Sequence, residues 1–149
     1  MITLAVDPGK CTGWALFDGA RLRSCGTSAP PRFAEVRNVV CDWLVIERPH
    51  EGAGKASKSD LVTLAARMGA VKALVNAANV EEVLPVRWKG STPKKIMTLR
   101  IGERWMTADD REAASAACRA FGVTASKMHN VLDAIGTGIW FLRPKGLRD

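Results

Sequence analysis

The stretch Ile2-Thr3-Leu4-Ala5-Val6-Asp7-Pro8-Gly9-Lys10-Cys11-Thr12-Gly13-Trp14-Ala15 decides the fold. Its first part, Ile2–Val6, is a short apolar run rich in β-branched residues and ends at Asp7-Pro8-Gly9. That pattern is a buried strand closed by a turn. Gly13–Phe17 and Arg21–Cys25 are two further runs, separated by Asp18-Gly19-Ala20. Asp-Gly between two such runs signals a hairpin. The chain therefore opens as a three-stranded antiparallel meander.

Thr27–Arg32 carries Pro30-Pro31 and reads as a loop. A short helix is expected from about Phe33 to Cys41. Trp43–Ile46 is the next buried strand and ends at Glu47. The polar, glycine-bearing stretch from Arg48 to Lys58 reads as a loop. Ser59 is placed to cap a long helix reaching about Asn79. Val83–Val86 reads as a short strand, with Pro85 marking an edge or an end. Thr92-Pro93 looks like a cap with proline in the first helical position, opening a helix to about Met106. Thr107-x-x-Asp110 resembles a capping box for a helix to Phe121. Ser126 opens a last helix to about Phe141. This order predicts one α/β domain over residues 1–149, a mixed sheet flanked by helices.

Bulk composition agrees. The 149 residues are 47% hydrophobic, which suits one globular core. The formal net charge is +7, a sign that favours a polyanionic partner such as nucleic acid. Cys11, Cys25, Cys41 and Cys118 form no CxxC pair and read as reduced, buried thiols in a cytoplasmic protein. No apolar run approaches bilayer length, and no secretory signal pattern opens the chain.

Three carboxylates carry the chemistry. Asp7 and Glu47 each stand at the C-terminal end of a strand. Ligands of open α/β sheets gather at such ends. If those strands are parallel neighbours, the two acids are adjacent. Asp133 lies in the last helix among Val131, Leu132, Ala134 and Ile135, where an idle carboxylate is uncommon. Such a cluster repels itself and asks for a cation, and Mg²⁺ or Mn²⁺ prefers oxygen ligands. Two such ions can hydrolyse a phosphodiester without a protein nucleophile. Singly, Asp7 also fits a turn residue and Glu47 a surface ion-pair partner.

Leu4–Ala15 resembles the first motif of Holliday-junction resolvases of the RuvC type. Val45-Ile46-Glu47 is similar to their second acidic motif, and Asn130-Val131-Leu132-Asp133-Ala134 to their last. Pro85-Val86-Arg87-Trp88-Lys89-Gly90-Ser91-Thr92-Pro93-Lys94-Lys95 looks like the Trp-Lys-Gly element of small phage and bacterial versions. The ordered set spans nearly the whole chain. The resemblance implies an RNase H-like fold with a five-stranded sheet. It also implies a homodimer and Mg²⁺-dependent cutting of two opposed strands at a four-way DNA junction. Asp7, Glu47 and Asp133 would then be metal ligands.

Two departures stand out. Many members carry an acid where this chain has Asn130, beside His129. Both lie on the Asp133 side of the helix, at i−3 and i−4. Asparagine offers a carbonyl oxygen; histidine offers a metal ligand or orients a water. The family also often places an aromatic shortly after the second acid to stack at the open junction. Here Arg48-Pro49-His50 follows, so His50 is the candidate there.

From Val83 to Gly102 the chain has no acid, while Arg87, Lys89, Lys94, Lys95 and Arg100 are basic. Such a run neutralises phosphates. Trp88 has two readings, stacking on nucleic acid or burial in the core. Lys55 and Lys58 make the loop after Glu47 a second candidate contact. The same carboxylates serve nucleases acting on other branched DNA or on RNA–DNA hybrids, so the site alone does not choose. A junction-binding protein without catalysis is a further alternative. An actin-like ATPase also follows its first strand with an Asp-x-Gly hairpin, but needs two such domains.

Overall fold

The computed structural model describes residues 1–49 and 57–143. Five strands form one sheet: β1 (Ile2–Asp7), β2 (Thr12–Asp18), β3 (Arg21–Ser28), β4 (Val40–Glu47) and β5 (Asn76–Val83). Their order is β3-β2-β1-β4-β5. The meander β1-β2-β3 is antiparallel, as expected, while β4 lies parallel to β1 and β5 parallel to β4. The helices are α1 (Lys58–Leu74), α2 (Pro85–Lys89), α3 (Lys94–Arg100), α4 (Ala108–Ala120) and α5 (Met128–Leu142). This is the expected RNase H-like architecture, a mixed five-stranded sheet flanked by helices. Among the described residues no helix is long and apolar enough to cross a membrane.

Strand periodicity divides the core into two layers. Side chains alternate between sheet faces. Ala5, Ala15, Phe17, Val45 and Val83 pack beneath α5 with Val131, Ala134, Ile135 and Trp88. Leu4, Val6, Trp14, Leu44 and Ile46 face the opposite side, against Phe33, Val36, Val71 and Val75. Asp7 and Glu47 share the parity of Ala5 and Val45, so both belong to the α5 face.

That layer depends on missing side chains. A Cβ on Gly13 would stand 2.0 Å from the carbonyl oxygen of Asn130. A Cβ on Gly138 would stand 2.3 Å from the Phe17 ring. Both glycines let α5 lie directly on β1 and β2. At the other end, Asp110 anchors α4 to the sheet. It forms the expected capping box with Thr107 and also accepts from the Leu22 amide at 2.9 Å.

Five boundaries differ from the sequence reading. Residues 33–39 form turns rather than a helix, with Phe33 at φ 44° and Asn38 at φ 62°. Phe33 and Val36 turn inward to fill the layer under β4. The cap of α1 is Ser57, in a capping box with Asp60, rather than Ser59. That helix ends at Leu74 because Asn76–Val83 pairs with β4 as an edge strand; ladder pairing outweighs a weak helical tendency. Pro85 therefore opens α2 instead of ending a strand, a position where its missing N–H costs nothing. The helix after Pro93 is α3 followed by a π turn over Ile101–Trp105, closed by the Met106 amide on the Ile101 carbonyl. Cys25, Cys41 and Cys118 are buried, and all four cysteines are free.

Two glycine substitutions should separate close approach from simple flexibility. Gly13→Ala should lower unfolding stability by about 2 kcal/mol or more, because the added methyl meets backbone. Gly69→Ala, in α1 with nothing near its Cβ position, should raise stability by up to about 1 kcal/mol. Denaturant unfolding of the two variants checks both signs.

Candidate metal-binding active site

The parallel β1–β4 pairing aligns Val6 with Ile46, so Asp7 and Glu47 leave the sheet side by side. Glycine at Gly13 lets α5 approach the same edge and bring Asp133 in, 7% exposed. The three acids come from three elements and converge at the carboxyl end of the parallel strands.

Asn130 enters the same cleft one turn earlier on α5. Its Oδ1 and the Asp7 Oδ1 both lie 3.6 Å from the point a Cβ on Gly9 would occupy. Gly9 thus leaves a small space bordered by a carboxylate and an amide oxygen. Arg67 of α1 donates to the Gly9 carbonyl at 3.1 Å and ties down this turn. His129 is half-buried on α5, and among the described residues no hydrogen bond or ion pair joins it to the acids.

Cations and one indole balance the charge. Lys89 Nζ stands 3.3 Å from Glu47 Oε1 and 3.4 Å from Oε2. Trp88 Nε1 donates to Glu47 Oε2 at 2.7 Å. Lys94 Nζ lies 3.7 Å from Asp133 Oδ2 on a side chain that is 62% exposed. Burial, with Glu47 and Asp133 adding repulsion, pushes Asp7 from 3.8 up to about 8, against the opposing pull of Lys89 and Lys94. Burial also raises Glu47, while Lys89 and the Trp88 hydrogen bond restrain it.

The basic run is therefore divided in its roles. Trp88 does not have a face free for stacking. It is 5% exposed, packed in the core and committed to Glu47. Burial of its large ring beneath α5 decides between its two readings. Lys89 and the exposed Lys94 pair with the acids, whereas Arg87, Lys95 and Lys58 are exposed and, among the described residues, pair with none of them. His50 and Lys55 lie outside the described residues. Trp88 as a hydrogen-bond donor, Arg67 and Gly9 escaped the sequence reading. Each acts through a contact between distant elements; only the glycine of the Asp7-Pro8-Gly9 turn was visible locally.

Among the described residues, no group of three or more His, Cys, Asp and Glu side chains is placed to hold a metal ion as it stands. The donor chemistry nevertheless fits a hard cation: carboxylate oxygens, an amide oxygen, and the space that a Cβ on Gly9 would fill. Ammonium groups hold Glu47 and Asp133 in this arrangement and supply the positive charge.

No protein-family model and no curated protein sequence matches the chain. Among solved structures it is similar to Thermus thermophilus RuvC in complex with a Holliday junction substrate. That pair is 15% identical with a TM-score of 0.47, covering 93% of this chain and 91% of the other. Another Thermus thermophilus RuvC structure is 14% identical with a TM-score of 0.43, covering 95% of each chain. The K428A mutant gp2c of the large terminase subunit from bacteriophage Sf6, with calcium, is 12% identical with a TM-score of 0.42. It covers 93% of this chain and 87% of the other.

Asp7 gives this site a pH signature. The folded state holds a proton on Asp7 more tightly than the unfolded chain does. The stability this contributes is complete below 3.8 and is lost as pH rises through about 8. Without divalent ions, the Asp7 contribution should lower the melting temperature between about pH 4 and about pH 8. Asp7→Asn should flatten that slope and melt several degrees, roughly 3–6 °C, above the parent at about pH 8. Thermal unfolding in chelator checks it; equal slopes in both proteins would remove Asp7 from the repulsive cluster.

Proposed function

We propose that this chain is a metal-dependent endonuclease that resolves four-way DNA junctions by paired phosphodiester hydrolysis. The observation that carries the proposal is the convergence of Asp7, Glu47 and Asp133 at one sheet edge, with Asn130 Oδ1 beside Asp7. Mg²⁺, or Mn²⁺ in its place, would be held by these three acids, with Asn130 rather than His129 as the fourth oxygen donor. When bound, such an ion activates water and stabilises the leaving oxygen of a phosphodiester.

The chain's own groups do the rest. Strand pairing and the approach of α5 hold the carboxylates close, at a cost in repulsion that a cation would relieve. Lys89 and Lys94 add positive charge at the edge where a phosphate must approach. Arg87, Lys95 and Lys58 are exposed and available to backbone phosphates. His50 and Lys55, which lie outside the described residues, stand as further candidates for nucleic-acid contact.

A junction is two-fold symmetric and needs two cuts, which a two-fold homodimer matches. An uncovered face of α1 supports that assembly. Only Val71 of α1 is buried, and Val62 is 68% exposed. A second copy is the occupant that supplies the second active site. Cleavage of other branched DNA or of RNA-containing duplexes uses the same acids, so substrate choice is decided by assay.

Synthetic four-way junctions, linear duplex and RNA–DNA hybrid should be offered with Mg²⁺, Mn²⁺ or chelator. Paired nicking of the junction, absent in chelator, is expected. Asp7→Asn should lower cutting by at least about a thousandfold while junction binding persists. Cleavage confined to the hybrid would overturn the junction reading. A monomer by light scattering at assay concentration would overturn the dimer.

A further inference from the structure

Glu47 is held differently from the other two acids. Its partners come from α2, the five-residue helix that begins directly after β5. Trp88 reaches it from inside the core. Its ring packs so tightly against α5 that a Cβ on Gly136 would come within 2.7 Å of it. The indole cannot swing away without opening that layer. Lys89 reaches the same carboxylate from the open side. Its ammonium contacts both Glu47 oxygens and sits 4.9 Å from the Trp88 ring centroid. That side chain remains 26% exposed and has four rotatable bonds to leave by.

The two donors differ in kind. An indole N–H is neutral, offers a single donor and accepts nothing. It fixes one carboxylate oxygen without opposing a cation at the other. An ammonium beside the same carboxylate repels an incoming divalent ion. With Lys89 against both oxygens, Glu47 is a weaker ligand for a second cation.

We propose that Trp88 is a positioning residue that fixes Glu47 for a divalent cation, and that Lys89 is the exchangeable counterion the cation displaces. The proposal rests on the metal-dependent reading above. It makes removal of the two neighbours act in opposite directions, which a shared structural role would not do.

The test is Mn²⁺ binding to the full chain without DNA, followed by electron paramagnetic resonance. Trp88→Phe keeps the buried ring and loses the N–H. It should weaken Mn²⁺ binding about tenfold. Lys89→Met should tighten it about tenfold by removing the competing charge. Unchanged affinity in Trp88→Phe, or weaker binding in Lys89→Met, would overturn the assignment. Should Trp88→Phe fail to fold, proton NMR of the parent replaces it. The Trp88 indole proton should resonate downfield, move upfield in Glu47→Gln and respond to Mg²⁺. An indole proton indifferent to Glu47→Gln overturns the positioning role. A parent that binds no Mn²⁺, yet shows the Glu47-dependent indole signal, would overturn the metal reading while leaving the Trp88–Glu47 contact intact.

Discussion

Everything at the candidate site depends on how closely α5 can approach the sheet. The limit is set at Gly13, where any side chain would meet the Asn130 carbonyl. With that approach allowed, one helix delivers both Asn130 and Asp133 to the edge where β1 and β4 end. With a larger residue, α5 must lift or slide, and its two polar side chains leave the cleft together. Packing of the core and assembly of the site are thus one event. Interiors are close-packed, so a displacement at Gly13 cannot be absorbed locally.

The same approach creates an electrostatic problem. Three carboxylates share a partly desolvated edge, and Asp7 bears most of the cost. Lys89 and Lys94 offset part of it by pairing with Glu47 and Asp133. Asn130 reduces it in another way. It presents an oxygen beside Asp7 without adding a fourth negative charge. A carboxylate there would raise the repulsion in the metal-free protein and bind a cation more strongly. On the proposed metal-dependent reading, the neutral amide would trade some affinity for less repulsion in the folded state.

Local patterns in the chain foretold much of this, and their failures have physical causes. The Asp7 turn, the hairpin at Asp18-Gly19 and the Thr107–Asp110 capping box are local chemistry, legible in a few residues. The strand β5 is not. Asn76-Ala77-Ala78-Asn79 has no strand signature, and β4 recruits it through backbone pairing. Trp88 looked equally suited to stacking or burial, because its neighbours in sequence are basic. What decides is Glu47, 41 positions away, which takes its N–H. Composition also suggested that the whole basic run faces nucleic acid. Carboxylates from other elements capture two of its lysines.

That division of the lysines bears on how substrate and cation cooperate. In the present arrangement, Lys89 and Lys94 stand beside Glu47 and Asp133 and offset part of their charge. Under the proposed metal-dependent reading, a divalent ion held by those carboxylates would free both ammoniums at that edge. There they would face an approaching phosphate, with Arg87 and Lys95 already exposed. The local positive potential would then rise twice, through the ion's own charge and through the freed side chains. By linkage, a bound polyanion must favour the cation to the same degree. On that reading, productive engagement of nucleic acid would depend on a loaded site.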